Sequence, residues 1–224
     1  MSESTVRERP ILFSAPMVRA ILRDDDPKTQ TRRVIKPVRG FERHNICEVG
    51  MPHSAYPWAV WWHGPDTDRV GVMQECPYGK PGDRLYVKEA WALAKQYDAL
   101  KGADIYGLPE MGCLSYKADA PYPVDFGRPR HARFMPRWAS RITLEITDVR
   151  VQRVQDISDD DARAEGIERR DGDLLYRDYS DSSRGPDWTV SPKRSFESLW
   201  CKINGSESWA ANPWVWGISF RRIA

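Results

Sequence analysis

The alternation of apolar and polar positions predicts a β-rich chain with three short helices. Pro10 to Ser14 is a brief apolar run and reads as a strand. Ser14 then N-caps a helix with Pro16 in its first turn and Met17, Ala20 and Ile21 at helical spacing. Asp24, Asp25, Asp26 and Pro27 end it. Lys28 to Ile35 is β-branched and basic, which predicts an extended segment. Residues 37–80 hold many Pro, Gly and His residues with Trp58, Trp61 and Trp62, and read as strands joined by loops. Pro77 to Asp83 is a dense turn signal, and Arg84 to Trp91 after it reads as a strand, as does Gly112 to Lys117. Ile142 to Val154 alternates but changes phase near Asp148, which predicts a bulge or bend in a long strand. Ser158 to Asp161 has the form of a capping box opening a short helix that Gly166 closes. Residues 168–190 are polar and read as a mobile loop. Ser191 and Pro192 start a third helix, with Phe196, Leu199, Trp200 and Ile203 on one stripe and Asn204-Gly205 as its stop. Trp214, Trp216, Ile218 and Phe220 share one face of a final strand. The pattern predicts an α+β, mainly β chain, compatible with a small β-barrel carrying insertions.

Composition narrows the class. The 224 residues are 41% hydrophobic and 29% charged, a globular balance rather than a disordered one. Lys plus Arg number 34 against 32 Asp plus Glu, a net charge of +2. That excludes a wholly basic nucleic-acid binder but not a local basic face. No apolar run is long enough for a transmembrane helix, so no membrane partner is expected. The polar N-terminus lacks the apolar core of a secretory signal. Four scattered cysteines, Cys47, Cys76, Cys113 and Cys201, suggest free thiols and a cytoplasmic protein.

Charge distribution changes the picture. Residues 27–39 and 128–141 are basic and free of acids. The first holds Lys28, Arg32, Arg33, Lys36 and Arg39; the second holds Arg128, Arg130, Arg133, Arg137 and Arg141, with His131, Phe134 and Trp138 between them. Arginines interleaved with aromatics suit phosphate contact and base stacking, so Arg32, Arg33, Arg130, Arg133, Arg137 and Trp138 are candidates for nucleic-acid or substrate binding. The plainer reading is a solvated face whose Arg stems cover apolar area. A second constellation is Lys28, Thr31 and Glu165. A lysine with a depressed pKa can act as base for a hydroxyl nucleophile, and a carboxylic acid can protonate a leaving group. In an ideal strand, positions 28 and 31 point to opposite faces, so the pair requires a turn or bulge. For metals, only His44 and Cys47 have a common ligand spacing; His53, His63 and Cys76 add no paired motif, and Cys76 reads as a buried small apolar residue. No metal and no cofactor is expected. Gly-rich phosphate loops, nucleophile elbows and zinc-protease motifs are absent from the sequence.

Several motifs in order resemble the ASCH domain, a relative of the PUA fold. They are Phe13-Ser-Ala-Pro-Met17, Lys28-Thr-Gln-Thr-Arg-Arg33 and Pro81-Gly-Asp-Arg-Leu-Tyr-Val-Lys-Glu89, then Ile142 to Val149, Ala162 to Ile167 and Trp214 to Phe220. Cys76 to Asp83 and Met135 to Ile142 are similar to the longer form found in phages and prophages. The resemblance spans residues 10–222. It implies a single PUA-like domain over residues 1–224, a small β-barrel with helices around a cleft, and insertions at about 40–75, 92–135 and 168–190. It also implies binding of RNA, single-stranded nucleic acid or a modified nucleoside. In the small bacterial acetylcytidine amidohydrolase of this family, a Lys, a Thr and a late-helix Glu are catalytic. The matching positions are Lys28, Thr31 and Glu165, with Arg33 at the motif's Arg. The amidohydrolases are about half this length, so the insertions can reshape the cleft. The resemblance implies hydrolysis of N-acylated cytidine-type bases as one activity. Alternatives are a ribonuclease or single-stranded nuclease, and a non-catalytic phage adaptor or inhibitor that binds a host protein. The tryptophans divide accordingly. Trp200, Trp214 and Trp216 are expected in the core, and Trp58, Trp61, Trp62 and Trp138 at a recognition surface.

Overall fold

The computed structural model describes residues 5–38, 58–63, 71–100, 113–119, 125–170, 174–180 and 186–224. His44, Cys47 and His53, and the side chains of Trp61 and His63, lie outside the described residues. The chain opens with β1 (Glu8–Leu12), α1 (Ala15–Ile21) and β2 (Gln30–Val34). An antiparallel pair, β3 (Ala59–His63) and β4 (Gly71–Glu75), precedes β5 (Arg84–Lys88). A second pair joins β6 (Trp91–Leu93) to β7 (Leu114–Tyr116). Then come β8 (Thr143–Arg153), α2 (Asp159–Ala164), β9 (Tyr176–Asp178), β10 (Asp187–Thr189), α3 (Pro192–Asn204) and β11 (Trp214–Arg222). Among the described residues, no helix is long and apolar enough to cross a membrane.

The central sheet has the order β1-β5-β8-β11-β2. Only β1 and β5 run parallel; the other pairings are antiparallel. The sheet is open, with β1 and β2 at its edges, and is not hydrogen-bonded into the expected barrel. The edges approach through a side chain instead. The Arg33 guanidinium of β2 donates to the Leu12 carbonyl of β1 at 2.8 Å. The phase change read at Asp148 is a β-bulge. Ser219 pairs with Asp148 but Phe220 with Ile146, which leaves Thr147 unopposed.

Both faces of the sheet are covered. Ile11, Leu85, Leu144, Ile146, Val149, Trp216 and Ile218 pack on one side with Val18 and Ile21 of α1. On the other, Val215 joins Val154, Ala162, Phe196 and Trp200, which brings α2 and α3 onto the sheet. A third cluster around Trp91, Leu93 and Met135 lies under the β6–β7 pair.

Three expectations need correction. Trp62 is 2% exposed and belongs to the main core, its indole N–H donating to Gln74 Oε1 at 2.7 Å; Trp58 packs partly buried against the same core. Alternation in β3 puts the large indole inward, and Gln74 satisfies its only polar atom. The polar stretch 168–190 is not simply a loop. It contains the β9–β10 hairpin, held to α3 by the Tyr179 N–H donating to Ser198 Oγ at 2.9 Å. The capping box at α2 is half made. Ser158 Oγ accepts from the Asp161 N–H at 3.1 Å, but the Asp161 carboxylate turns away to arginines.

Candidate functional site

A cavity of about 640 Å³ opens between α1, β2, the end of α2 and α3. That volume lies in the range of small-molecule pockets. Three local features of the chain assemble its floor. First, Asp26 adopts a left-handed conformation (φ 51°), and the Lys28 N–H bonds back to the Ala20 carbonyl at 2.9 Å. The chain therefore turns before β2 begins at Gln30, so the strand-parity objection to pairing Lys28 with Thr31 does not apply. Second, α2 ends at Glu165, followed by Gly166 at φ +77°. A Cβ on Gly166 would lie 2.7 Å from the Lys28 Cβ and 2.9 Å from the Ala20 Cβ. Glycine is thus what allows the Lys28 stem to pass beneath the helix end. Third, the Thr29 N–H donates to the Ala164 carbonyl at 2.9 Å and ties the two segments together.

Lys28 and Glu165 meet in this floor. Lys28 Nζ lies 2.8 Å from Glu165 Oε2 and donates to the Glu165 carbonyl at 2.6 Å. Both side chains are almost fully buried. Burial pushes the Lys28 amine below the ordinary lysine value of 10.5; Glu165 opposes this, and the charges of Arg33 and Arg32 reinforce it. The Phe13 ring flanks the amine at 5.9 Å and the Arg33 guanidinium at 5.2 Å. Thr31 is buried in β2 opposite Ile218 and lines the same cavity. Among the described residues its hydroxyl makes no hydrogen bond. The structure therefore brings Lys28, Thr31 and Glu165 to one cavity wall, with Lys28 and Glu165 in direct contact.

Arg32 has a different role from the one its sequence position suggested. Its side chain is fully buried, and its guanidinium is occupied by protein groups. It donates to Gln30 Oε1 (2.6 Å), Glu165 Oε1 (3.1 Å) and Asp161 Oδ2 (2.9 Å). The Gln152 amide oxygen accepts from its Nε (3.3 Å) and Nη2 (2.9 Å). Asp161 also receives Gln30 Nε2 and Arg150 Nη2, each at 3.1 Å. Gly217 sits opposite Arg32 in β11. Arg32 thus holds the Glu165 carboxylate and orients it toward Lys28, rather than offering donors to a ligand.

The second basic segment lies outside the cavity lining. Arg130 stacks on Trp91 at 5.4 Å and donates to the Leu100 and Asp98 carbonyls at 2.8 Å each. Arg137 makes a two-pronged pair with Glu8 at 2.7 and 2.8 Å and lies over Tyr86. Both are engaged with protein partners, Arg137 while still exposed. Arg133 is exposed, beside Phe134, which is 68% exposed. Trp138 is 37% exposed and sets its ring edge-on to Trp91 at 6.3 Å. These two remain surface groups separate from the cavity.

Sequence reasoning missed part of the wall. Ile203 of the α3 stripe is exposed at the cavity, Leu199 lines it while packing partly buried against the second core, and Arg177 and Tyr179 of the hairpin line it too. Helical periodicity marks a covered face but does not distinguish a core from a cavity wall. Cys76 is buried as expected, and burial pushes its thiol up to about 11, so it is an inert packing residue. Among the described residues, no group of His, Cys, Asp and Glu could hold a metal ion. Comparison with protein-family models, curated proteins and solved structures found no match to this chain.

Proposed function

We propose that the chain is a PUA-like, ASCH-type protein whose cavity binds a modified nucleoside and removes an N-acyl group from its base. The observation that carries this reading is the buried Lys28–Glu165 contact on the wall that also holds Thr31. A lysine kept out of water beside a carboxylate, on the same cavity wall as a hydroxyl that has no hydrogen bond among the described residues, supplies the parts of an activated nucleophile. The basic lining around it, with Arg33 and Lys36, favours an electron-rich ligand.

The chemistry balances on these three groups. In its free-base form the Lys28 amine accepts the proton of Thr31 as Oγ attacks the acyl carbon. The C–N bond then breaks as the Lys28 ammonium passes that proton, through the Glu165 carboxylate it touches, to the leaving nitrogen. Water next cleaves the threonine ester, giving one proton to Lys28, which returns it to Thr31 Oγ. Arg32 keeps the Glu165 carboxylate in place throughout.

The test is release of cytidine from N4-acetylcytidine by the purified protein. Replacing Lys28 by Ala, or Glu165 by Gln, lowers the rate by about 10²- to 10⁴-fold if the two groups move protons in the reaction. Turnover at the parent rate in both variants removes the reading.

A further inference from the structure

The far side of the cavity carries a cluster that the hydrolytic chemistry does not use. Tyr179 lies beyond the end of β9, anchored to α3 through Ser198. The Arg177 guanidinium lies over its ring at 5.2 Å and the Lys202 amine at 5.7 Å. Arg23, from the end of α1, is near enough for its charge to act on the Tyr179 phenol, together with that of Arg177, against the upward push of burial. All four residues line the cavity. The carboxylate found with them is Glu168, and Arg177 occupies it at 2.8 Å. Among the described residues, Arg23 makes one hydrogen bond, a long 3.4 Å one to the Ile167 carbonyl. Neither Arg23 nor Lys202 has a carboxylate partner among the described residues. Arg177 of β9 and Lys202 of α3 thus lie over one ring, Arg23 from just beyond α1 adds its charge at the phenol, and Glu168 is the one carboxylate that answers them among the described residues. Like charges held together in this way repel unless an anion joins them. Beside them, Leu199 and Ile203 form an apolar wall, and Ile203 is 55% exposed. Such a wall accepts the body of a ligand whose charged end reaches the cations.

We infer that Arg23, Arg177 and Lys202 around Tyr179 form a phosphate subsite, so that the ligand of this cavity is a nucleoside monophosphate rather than an uncharged nucleoside. This rests on the cavity being a nucleoside site and names the form it takes. Arginine supplies paired donors to phosphate oxygens, and Lys202 adds a mobile point charge. Arg33 is less suited to that role, since it is already bonded to the Leu12 carbonyl.

The experiment is calorimetric titration of the purified protein with N4-acetylcytidine and with its 5′-monophosphate. One charge-assisted contact set predicts that the monophosphate binds at least about tenfold more tightly. In Arg23→Gln and Lys202→Gln, that ratio falls toward one. Equal affinities in the parent protein overturn the phosphate subsite and leave the nucleoside reading standing. No binding of either compound overturns both. A preference for the monophosphate that survives both substitutions places the phosphate elsewhere and overturns this assignment. A circular dichroism spectrum matching the parent shows that each variant is folded, so a changed ratio reports on the ligand.

Discussion

Gly166 determines whether Lys28 can be where it is. Its φ of +77° lies in the left-handed region, and the space its Cβ would need is taken by the Lys28 and Ala20 side chains. Gly166→Ala therefore carries both backbone strain and a clash. The expected cost is about 1–3 kcal/mol, read as a lower urea midpoint, together with loss of turnover as Lys28 shifts. A variant of parental stability and activity would show that the close approach is not needed. The Lys28 amine offers a second check. Burial lowers its pKa from 10.5, so the free base gains population at a lower pH than in an exposed lysine. The rate is expected to climb with pH through a limb lying below 10.5, visible in a pH profile of kcat/KM. Part of this is legible in the sequence: residue type makes Lys28, Thr31 and Glu165 candidates, strand spacing counts against pairing the first two, and the resemblance to the ASCH domain is what implies their roles. The partners of the arginines are not legible there, because an arginine's partner is set by tertiary contacts. Arg130 and Arg137 read as free cations until Leu100, Asp98 and Glu8 are placed beside them.

At the scale of elements, α2 is the part on which the site depends most. It is six residues long, carries Asp161 and is capped at its C-terminal end by Glu165. A helix so short has little intrinsic stability and is held by its cap and its neighbours. Ser158 supplies that cap. Ser158→Ala is expected to cost about 1 kcal/mol in chemical denaturation, and to lower activity as the Glu165 end loosens. The half-made capping box has a physical reason. An aspartate at that position is drawn to Arg32 and Arg150, whose charge-assisted bonds are stronger than one to a backbone amide. Elements with strong periodicity, such as α3 and β11, matched their sequence pattern, and the β8 bulge appeared where alternation changed phase. The β9–β10 hairpin did not declare itself. Its strands are three residues long and polar, and its pairing with α3 is a long-range effect that local composition does not carry.

The whole molecule is an open five-stranded sheet with cores on both faces, and its buried charges tie its layers together. Asp161 links β2, β8 and α2 through Arg32, Gln30 and Arg150. Burial alone would raise its carboxyl, but hydrogen bonds from Arg150 and Gln30 and the charge of Arg32 hold it below 3.8. Glu8, on the edge strand β1, is held below 4.5 mainly by its hydrogen bond from Arg137. A carboxyl whose folded pKa is depressed contributes stability above its unfolded value and loses that contribution as pH falls through the folded one. Urea midpoints are therefore expected to be level, so far as these groups are concerned, near neutral pH, and to fall below about pH 4.5. Asp161→Asn should flatten part of that acid slope. An unchanged slope would mean that Asp161 does not link folding to protons.

The claim on which the account rests is that the Thr31 hydroxyl is the attacking group. The direct measurement compares release of cytidine from N4-acetylcytidine by Thr31→Ser and Thr31→Ala. Serine keeps a hydroxyl on the cavity wall and loses only the γ-methyl, and alanine loses both, so the two variants differ by the hydroxyl alone. The account predicts that Thr31→Ser retains measurable turnover and that Thr31→Ala loses it by about 10²-fold or more. Equal turnover by both variants and the parent would contradict it.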